Sequence, residues 1–259
     1  MLSIYARIPA RLMIFSAVTL ALAGRPASAK DFDDYMGDAK NYVLAPLHWD
    51  GTDWAWFAGS IGAVAAAHHF DDDVRRHFAP SHFDSSDPHA LRDILPTAAL
   101  TGAVLVQGLM GDKQSLSTGF DMVEAAAFAG ASSYVLKFAT RRQRPNETID
   151  SDRWFKGGGS FPSTHAAVAF AVATSFAERD SDHPVLRRVF AYGLASATAY
   201  IRVKDNQHWL SDTVAGTAIG ISTGLYVNHR AANSHRTAGN WSIAPIGDGI
   251  GISYTHELR

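Results

Sequence analysis

The 259-residue chain contains no cysteine. That excludes a disulfide-stapled scaffold, a thiolate zinc site and a thiol nucleophile, so stability has to come from packing. A surplus of basic charge is missing too, with 23 Lys and Arg against 25 Asp and Glu. Affinity for a phosphate backbone rests on such a surplus, and nucleic acid is therefore not an expected partner. No nucleotide-binding fingerprint occurs, because the three glycines 157–159 run into Ser160-Phe161 and not Gly-Lys-Ser/Thr. Runs long enough to cross a bilayer are also scarce. AAVAFAVATSFA stops after 12 residues and YGLASATAYI after 10, against the ~20 that a spanning helix needs.

What is present, 47% hydrophobic and 19% charged residues, excludes disorder and collagen-like repeats. At the N-terminus, Arg7 and Arg11 precede the run LMIFSAVTLALAG and then Ala27-Ser28-Ala29. This is the pattern of a signal peptide cleaved after Ala29, with an uncleaved anchor helix as the alternative. The mature chain would carry 20 basic and 25 acidic side chains, a net charge of about −5. The expected location is exported and periplasmic; an inner-membrane protein with its site facing the periplasm is the alternative.

Residues 31–50 show no sustained periodicity and read as an irregular lead-in. Six apolar, Ala-rich helical stretches follow at 54–68, 94–111, 120–140, 165–178, 186–201 and 209–227. The expected fold is all-α: a compact bundle of about six helices. Near the C-terminus, Trp241 and Ile243 alternate toward Gly247-Asp248-Gly249 and then Ile250, Ile252 and Tyr254, which predicts a short β-hairpin. Two strands cannot close a barrel, so an outer-membrane barrel is excluded. The predicted layout is a signal peptide at 1–29, a lead-in with the first helices at 30–93, a catalytic core at 94–229 and a tail at 230–259.

Three clusters carry chemistry. In KFATRRQRP, residues 137–145, Lys137 and Arg144 fall on one side if the last turns stay near helical. Arg141 and Arg142 read as a basic helix end complementing the macrodipole. In GGGSFPSTHAA, Ser163 is a plausible N-cap for a helix starting at Thr164, whose free N–H groups suit an anion, with His165 as a proton donor in the first turn. In RVKDNQHWLSDTVAG, His208 and Asp212 stand at i and i+4, so the carboxylate can orient the imidazole for nucleophilic or base chemistry. Each cluster alone also has an ordinary explanation: a basic helix end, a capped helix after a flexible loop, a surface ion pair.

Together, Lys-x6-Arg-Pro, Pro-Ser-x-His and Arg-x5-His-x3-Asp occur in one order, and the chain resembles the type 2 phosphatidic acid phosphatase and vanadium haloperoxidase superfamily over roughly 94–229. That family includes membrane-type lipid phosphatases and bacterial class A acid phosphatases. The resemblance implies one phosphate held by Lys137, Arg144 and Arg202, with hydrogen bonds from Ser163 and Thr164. It further implies that His208 attacks phosphorus, that Asp212 orients it and that His165 protonates the leaving alkoxide, with no metal and no cofactor. Thr164 stands where the family has glycine, and Ile201 where it has serine before the arginine. These departures bear on rate and substrate range more than on reaction class.

The implied substrate is a phosphate monoester or a lipid phosphate or pyrophosphate, with contact to a membrane surface. A catalytically silent protein that binds phospholipid headgroups or acts as a scaffold is the alternative, and a vanadate-dependent haloperoxidase a minor one. Both histidines start near ~6.5, which predicts a bell-shaped pH profile on the acidic side of neutrality, with Asp212 favouring the charged form of His208. His68, His69 and Asp71 to Asp73 invite a metal reading but are expected to form a solvated helix end. Trp54 and Trp56 are expected to close a core, with a substrate rim alongside His48 and Asp50 as the alternative.

Overall fold

The computed structural model describes residues 32–78, 90–179, 182–237, 240–246 and 249–255. The signal peptide expected at 1–29 lies outside them. Two compact units are separated, residues 1–43 and 44–259. The first contributes helix α1, Phe32–Leu44. The lead-in is therefore helical where irregular chain was expected, and Ala45–His48 adds a 3₁₀ turn that Pro46 is suited to start.

The second unit is helical up to Thr237. Its helices are α2, Gly51–His69; α3, Asp71–Phe78; α4, Ala90–Leu109; α5, Lys113–Thr140; α6, Thr164–Ala177; α7, Pro184–Lys204; and α8, Leu210–Thr237. That makes eight helices among the described residues, not six. The two unforeseen ones are short or polar: α3 reads DDDVRRHF, too charged for an apolar periodicity search to find. Asp50 caps α2 by accepting from Thr52 N at 2.7 Å and Asp53 N at 2.9 Å, while Asp53 answers with a bond from Asp50 N at 3.1 Å. Trp54 and Trp56 do not close a core; both are exposed on α2. Beyond α8, Asn240–Ile246 and Gly249–Thr255 are extended and lie outside the helical fold.

Helix α6 is the hub, packed against α5, α7 and α8. Ten of its 14 residues are buried, six of them alanines. Small side chains let neighbouring backbones approach closely. On α8 the close approach needs glycine: a Cβ on Gly216 would come within 2.4 Å of Ser163 O, and one on Gly220 within 2.4 Å of Ala167 O. This contact sets the first turn of α8 beside the first turn of α6, where Ser163 N donates to Asp212 O at 2.9 Å. Among the described residues, no helix is long and apolar enough to cross a membrane.

Candidate active site

Four chain segments meet at one end of the bundle: the end of α5 with the loop after it, the start of α6, the end of α7 and the start of α8. Helix α5 stops at Thr140 because Arg141 turns into the left-handed region at φ 45°, its N–H donating to Lys137 O at 2.9 Å. Lys137 and Arg144 are thus not joined by a continuous helix, as the spacing had suggested. The return loop brings them together. Lys137 Nζ donates to Gly159 O at 2.7 Å and Ser160 O at 3.1 Å, and Arg144 Nη1 donates to Gln207 Oε1 at 3.1 Å and Gln207 O at 3.2 Å. The loop itself lies on the α5 end, since a Cβ on Gly158 would come within 2.1 Å of Arg142 O.

Ser163 caps α6, its Oγ accepting from Ala166 N at 3.4 Å, and is fully buried. Thr164 Oγ1 is buried and makes no hydrogen bond among the described residues. His165 follows in the first turn, half-buried. The last turn of α7 carries Arg202, 3% exposed, whose carbonyl accepts from Gln207 N and His208 N, both at 3.1 Å. This turn, with Asn206 at φ 52°, carries His208 back against the cations.

His208 is 2% exposed and its pKa lies well below the usual histidine value. Burial is the main cause, followed by the charges of Lys137, Arg144, Arg202 and His165. Asp212, expected to favour the charged imidazole, is outweighed by burial and by these cations. Nδ1 of His208 stands 3.5 Å from Asp212 Oδ2 without an aligned hydrogen bond, because that carboxylate is engaged elsewhere. Lys137 is likewise depressed, to about 7, by burial first and then by Arg144 and Arg202, with Asp212 opposing. Arg144 is lowered for the same leading reason, with Arg202 next. The pocket therefore gathers cations that have lost water faster than they have gained counter-charge. An anion carrying two charges and several oxygens would relieve it.

Behind this pocket lies a second cluster that spacing did not reveal. Arg142 is not a solvated complement to a helix dipole but fully buried. Its Nη1 donates to Asp212 Oδ1 at 2.7 Å and Ser211 Oγ at 2.8 Å, and its Nη2 to Asp71 Oδ2 at 2.7 Å and Ser151 O at 2.8 Å. Trp154 and Trp209 flank the guanidinium, with ring centroids 4.5 and 5.2 Å away. Asp71 is not at a solvated helix end either; it is 1% exposed and also accepts from Ser211 N at 2.8 Å and Ser211 Oγ at 2.6 Å. Asp212 Oδ2 takes bonds from Ser160 Oγ and, at 2.9 Å, from Trp209 N. His68 bridges Asp71 and Asp152 at 2.9 Å each, and its pKa is raised: burial opposes the shift as the largest single influence, and bonds to the two carboxylates outweigh it. No group of three or more metal-ligating side chains forms among the described residues.

Residues 118–236 match the family model of the PAP2 superfamily. Over 88 residues the chain is 36% identical to a lipid A 1-phosphatase of Porphyromonas gingivalis, a stretch covering 34% of this chain and 18% of the relative. The match thus spans about a fifth of that relative's length. Among solved structures, a transmembrane PAP2-type phosphatidylglycerolphosphate phosphatase from Bacillus subtilis superposes with a TM-score of 0.51 at 18% identity, over 71% of this chain and 98% of the other. That likeness is one of fold.

Proposed function

We propose, from the premise that residues 118–236 belong to the PAP2 superfamily, that the chain is a metal-independent phosphatase of the cell envelope acting on phosphate monoesters or lipid phosphates and pyrophosphates. The observation that carries the reading is the placement of a buried His208, kept neutral, among Lys137, Arg144, Arg202 and His165. Neutral imidazole has the lone pair that attack requires, and the cations that keep it neutral are the ones that would hold the phosphoryl oxygens.

In the proposed reaction, Lys137, Arg144 and Arg202 clamp the phosphate, and Ser163 and Thr164 at the start of α6 add donors. Thr164 Oγ1, buried without a partner, would gain one. With Nδ1 directed at Asp212, Nε2 of His208 forms the bond to phosphorus as the bond to the leaving oxygen breaks and His165 gives that oxygen its proton. The imidazole becomes cationic in the phosphohistidine, where the nearby Asp212 charge favours it. Water then attacks phosphorus, His165 takes its proton, and the N–P bond breaks to release phosphate.

A lipid substrate is supported by a groove of about 400 Å³ beside Lys137, which is lined by Tyr134, Phe138 and Arg141. Both aromatic rings are exposed, one helical turn apart on α5, where an apolar leaving group would lie. The lipid A 1-phosphatase named above is a lipid phosphatase, which points the same way. Export is supported by the N-terminal pattern of residues 1–29. The layout of lead-in at 30–93, catalytic core at 94–229 and tail at 230–259 belongs to the same reading, with Asn240–Ile246 and Gly249–Thr255 as arms of a hairpin. Membrane contact of the described helices would come from their surface.

The test is phosphate release by the purified chain from nitrophenyl phosphate, phosphatidate, a prenyl diphosphate and lipid A. Turnover persisting in EDTA, inhibited by vanadate and leaving label on the His208 peptide is the expected result. Loss in EDTA with rescue by a divalent metal would overturn the metal-independent reading. No turnover of any ester would favour a headgroup-binding role instead.

A further inference from the structure

Arg141, the first residue after α5, takes no part in the reaction proposed above, yet it lines the groove beside Lys137. Its backbone is fully engaged. The N–H donates to Lys137 O at 2.9 Å, and the carbonyl accepts from Lys156 N at 3.1 Å and Gly158 N at 3.0 Å. Its side chain is exposed and makes no hydrogen bond, ion pair or ring contact among the described residues. At φ 45° the residue sits in the left-handed region, where a Cβ is penalised and glycine is at ease. The turn needs only a backbone at this position, and the guanidinium adds no bond to the fold that carries it.

The groove, about 400 Å³, is walled by Tyr134, Lys137, Phe138, Arg141, Gly158 and Gly159. Two of these are cations and none is a carboxylate. The acids nearest along the chain bond elsewhere: Glu147 Oε2 accepts from Arg144 N, Asp150 Oδ1 accepts from Asp152 N, and Asp152 pairs with His68, each at 2.9 Å. Gly158 and Gly159 leave their stretch of wall without side chains. Lys137 Nζ reaches Gly159 O at 2.7 Å, so this wall is continuous with the ammonium that the proposed reaction sets on the phosphate. Positions 134, 138 and 141 follow the i, i+4, i+7 spacing of one helix face. A leaving group lying along the groove therefore meets two aromatic rings and a guanidinium whose charge no protein group answers.

We infer that Arg141 is a specificity-determining residue that binds a second anionic group on the leaving side of the scissile bond, and so selects phosphoanhydrides over simple phosphate esters. This rests on the phosphatase reading of the site. In an anhydride substrate, Nε2 of His208 bonds to the terminal phosphorus, the bond from that phosphorus to the bridging oxygen breaks, and its electron pair leaves with the inner phosphate. Negative charge builds on that phosphate, where a guanidinium offers paired N–H donors. An alcohol leaving group carries no such charge and takes its proton from His165. Lipid diphosphates and free pyrophosphate share the anhydride, but only a lipid diphosphate also covers Tyr134 and Phe138.

The experiment measures kcat/KM of the full chain on farnesyl diphosphate, farnesyl phosphate, inorganic pyrophosphate and nitrophenyl phosphate, and binding of methylenebisphosphonate and methylphosphonate by calorimetry. In Arg141→Gln the ratio of anhydride to monoester kcat/KM should fall at least about tenfold, the worth of a charge-assisted hydrogen bond. Arg141→Gly suits the left-handed backbone, so it should show the same fall while melting no lower than wild type. Phe138→Ser alters a side chain 82% exposed and should lower the ratio of farnesyl diphosphate to pyrophosphate turnover, which separates the lipid from the free anhydride. Methylenebisphosphonate should bind wild type at least about tenfold tighter than methylphosphonate, an advantage that both Arg141 variants should largely lose. If wild type fails to turn over any ester or anhydride, the phosphatase reading falls, and the bisphosphonate comparison still decides the role of Arg141. Equal losses on anhydrides and monoesters, or an undiminished bisphosphonate advantage in Arg141→Gln, would overturn the assignment.

Discussion

Arg142 and Arg144 stand two residues apart and serve opposite ends. Arg142 is wedged between Asp71 and Asp212 with both aromatic faces covered, its charge answered in full by neighbours the fold supplies. Arg144 faces Lys137, Arg202 and His208, where its own pKa and those of Lys137 and His208 are all pushed down. A cation whose counter-charge comes from the protein is a clasp. A cation that the protein has desolvated without matching its charge stores unfavourable energy that an incoming anion releases. The two clusters share Asp212, which leaves the clasp by one oxygen and approaches His208 with the other.

The widest separation of the two should come from His208→Ala. Turnover should fall by on the order of 10⁴-fold or more while the melting temperature stays near wild type. Unfolding of that variant would mean that His208 belongs to the clasp after all. Next in size is His165→Ala, which should cost ~10²- to 10⁴-fold on alkyl phosphates and far less on nitrophenyl phosphate, whose leaving group needs no proton. An equal loss on both substrates would remove His165 from the role of acid.

The clasp should answer in stability. Arg142→Leu leaves Asp71 and Asp212 buried with no cation between them and should cost about 3–5 kcal/mol in denaturant unfolding. Arg142→Lys should recover little, since an ammonium cannot bond Asp212, Asp71 and Ser151 O from fixed positions at once. A loss below ~1 kcal/mol, the range of surface ion pairs, would show the network to be incidental.

The smallest effect is on pH dependence. Sulfate keeps its charge across the range, and above pH 7, past the free histidine value of ~6.5, the change in its affinity reports mainly Lys137. With Lys137 near 7 in the empty pocket, affinity should fall toward about tenfold per pH unit above 7 as binding demands a proton, and Lys137→Arg should flatten the slope. Stability carries matching signs. The unfolded chain binds more protons than the native one between about 7 and the free lysine value of ~10.4, so stability should rise with pH there. His208 is held neutral in the native state, so stability should fall as pH drops below the free histidine value of ~6.5.

What could be read along the chain was whatever repeats within one element or one motif. The apolar stretches located six helices, and Pro-Ser-Thr-His marked the start of α6 with its cap. The order of three basic and histidine motifs pointed to the PAP2 superfamily, and the family model agrees over residues 118–236. Polar helices such as α3 escaped because a helix built from DDDVRRHF has no apolar stripe to detect.

The composition, the helical class and the family follow from residue types and spacings, which are local properties. Whether a charge is a clasp or a binding group is not local, because it depends on which partners the fold delivers across distances the chain does not encode. Asp71, Arg142 and Asp212 are separated by about seventy residues at each step and meet through hydrogen bonds of 2.7 Å. Nothing near Arg142 in sequence distinguishes it from Arg141, which is exposed. The close contact of α8 on α6, made possible by glycine at 216 and 220, set Asp212 at the start of α8 where one arginine reaches it, and left the other arginine among cations.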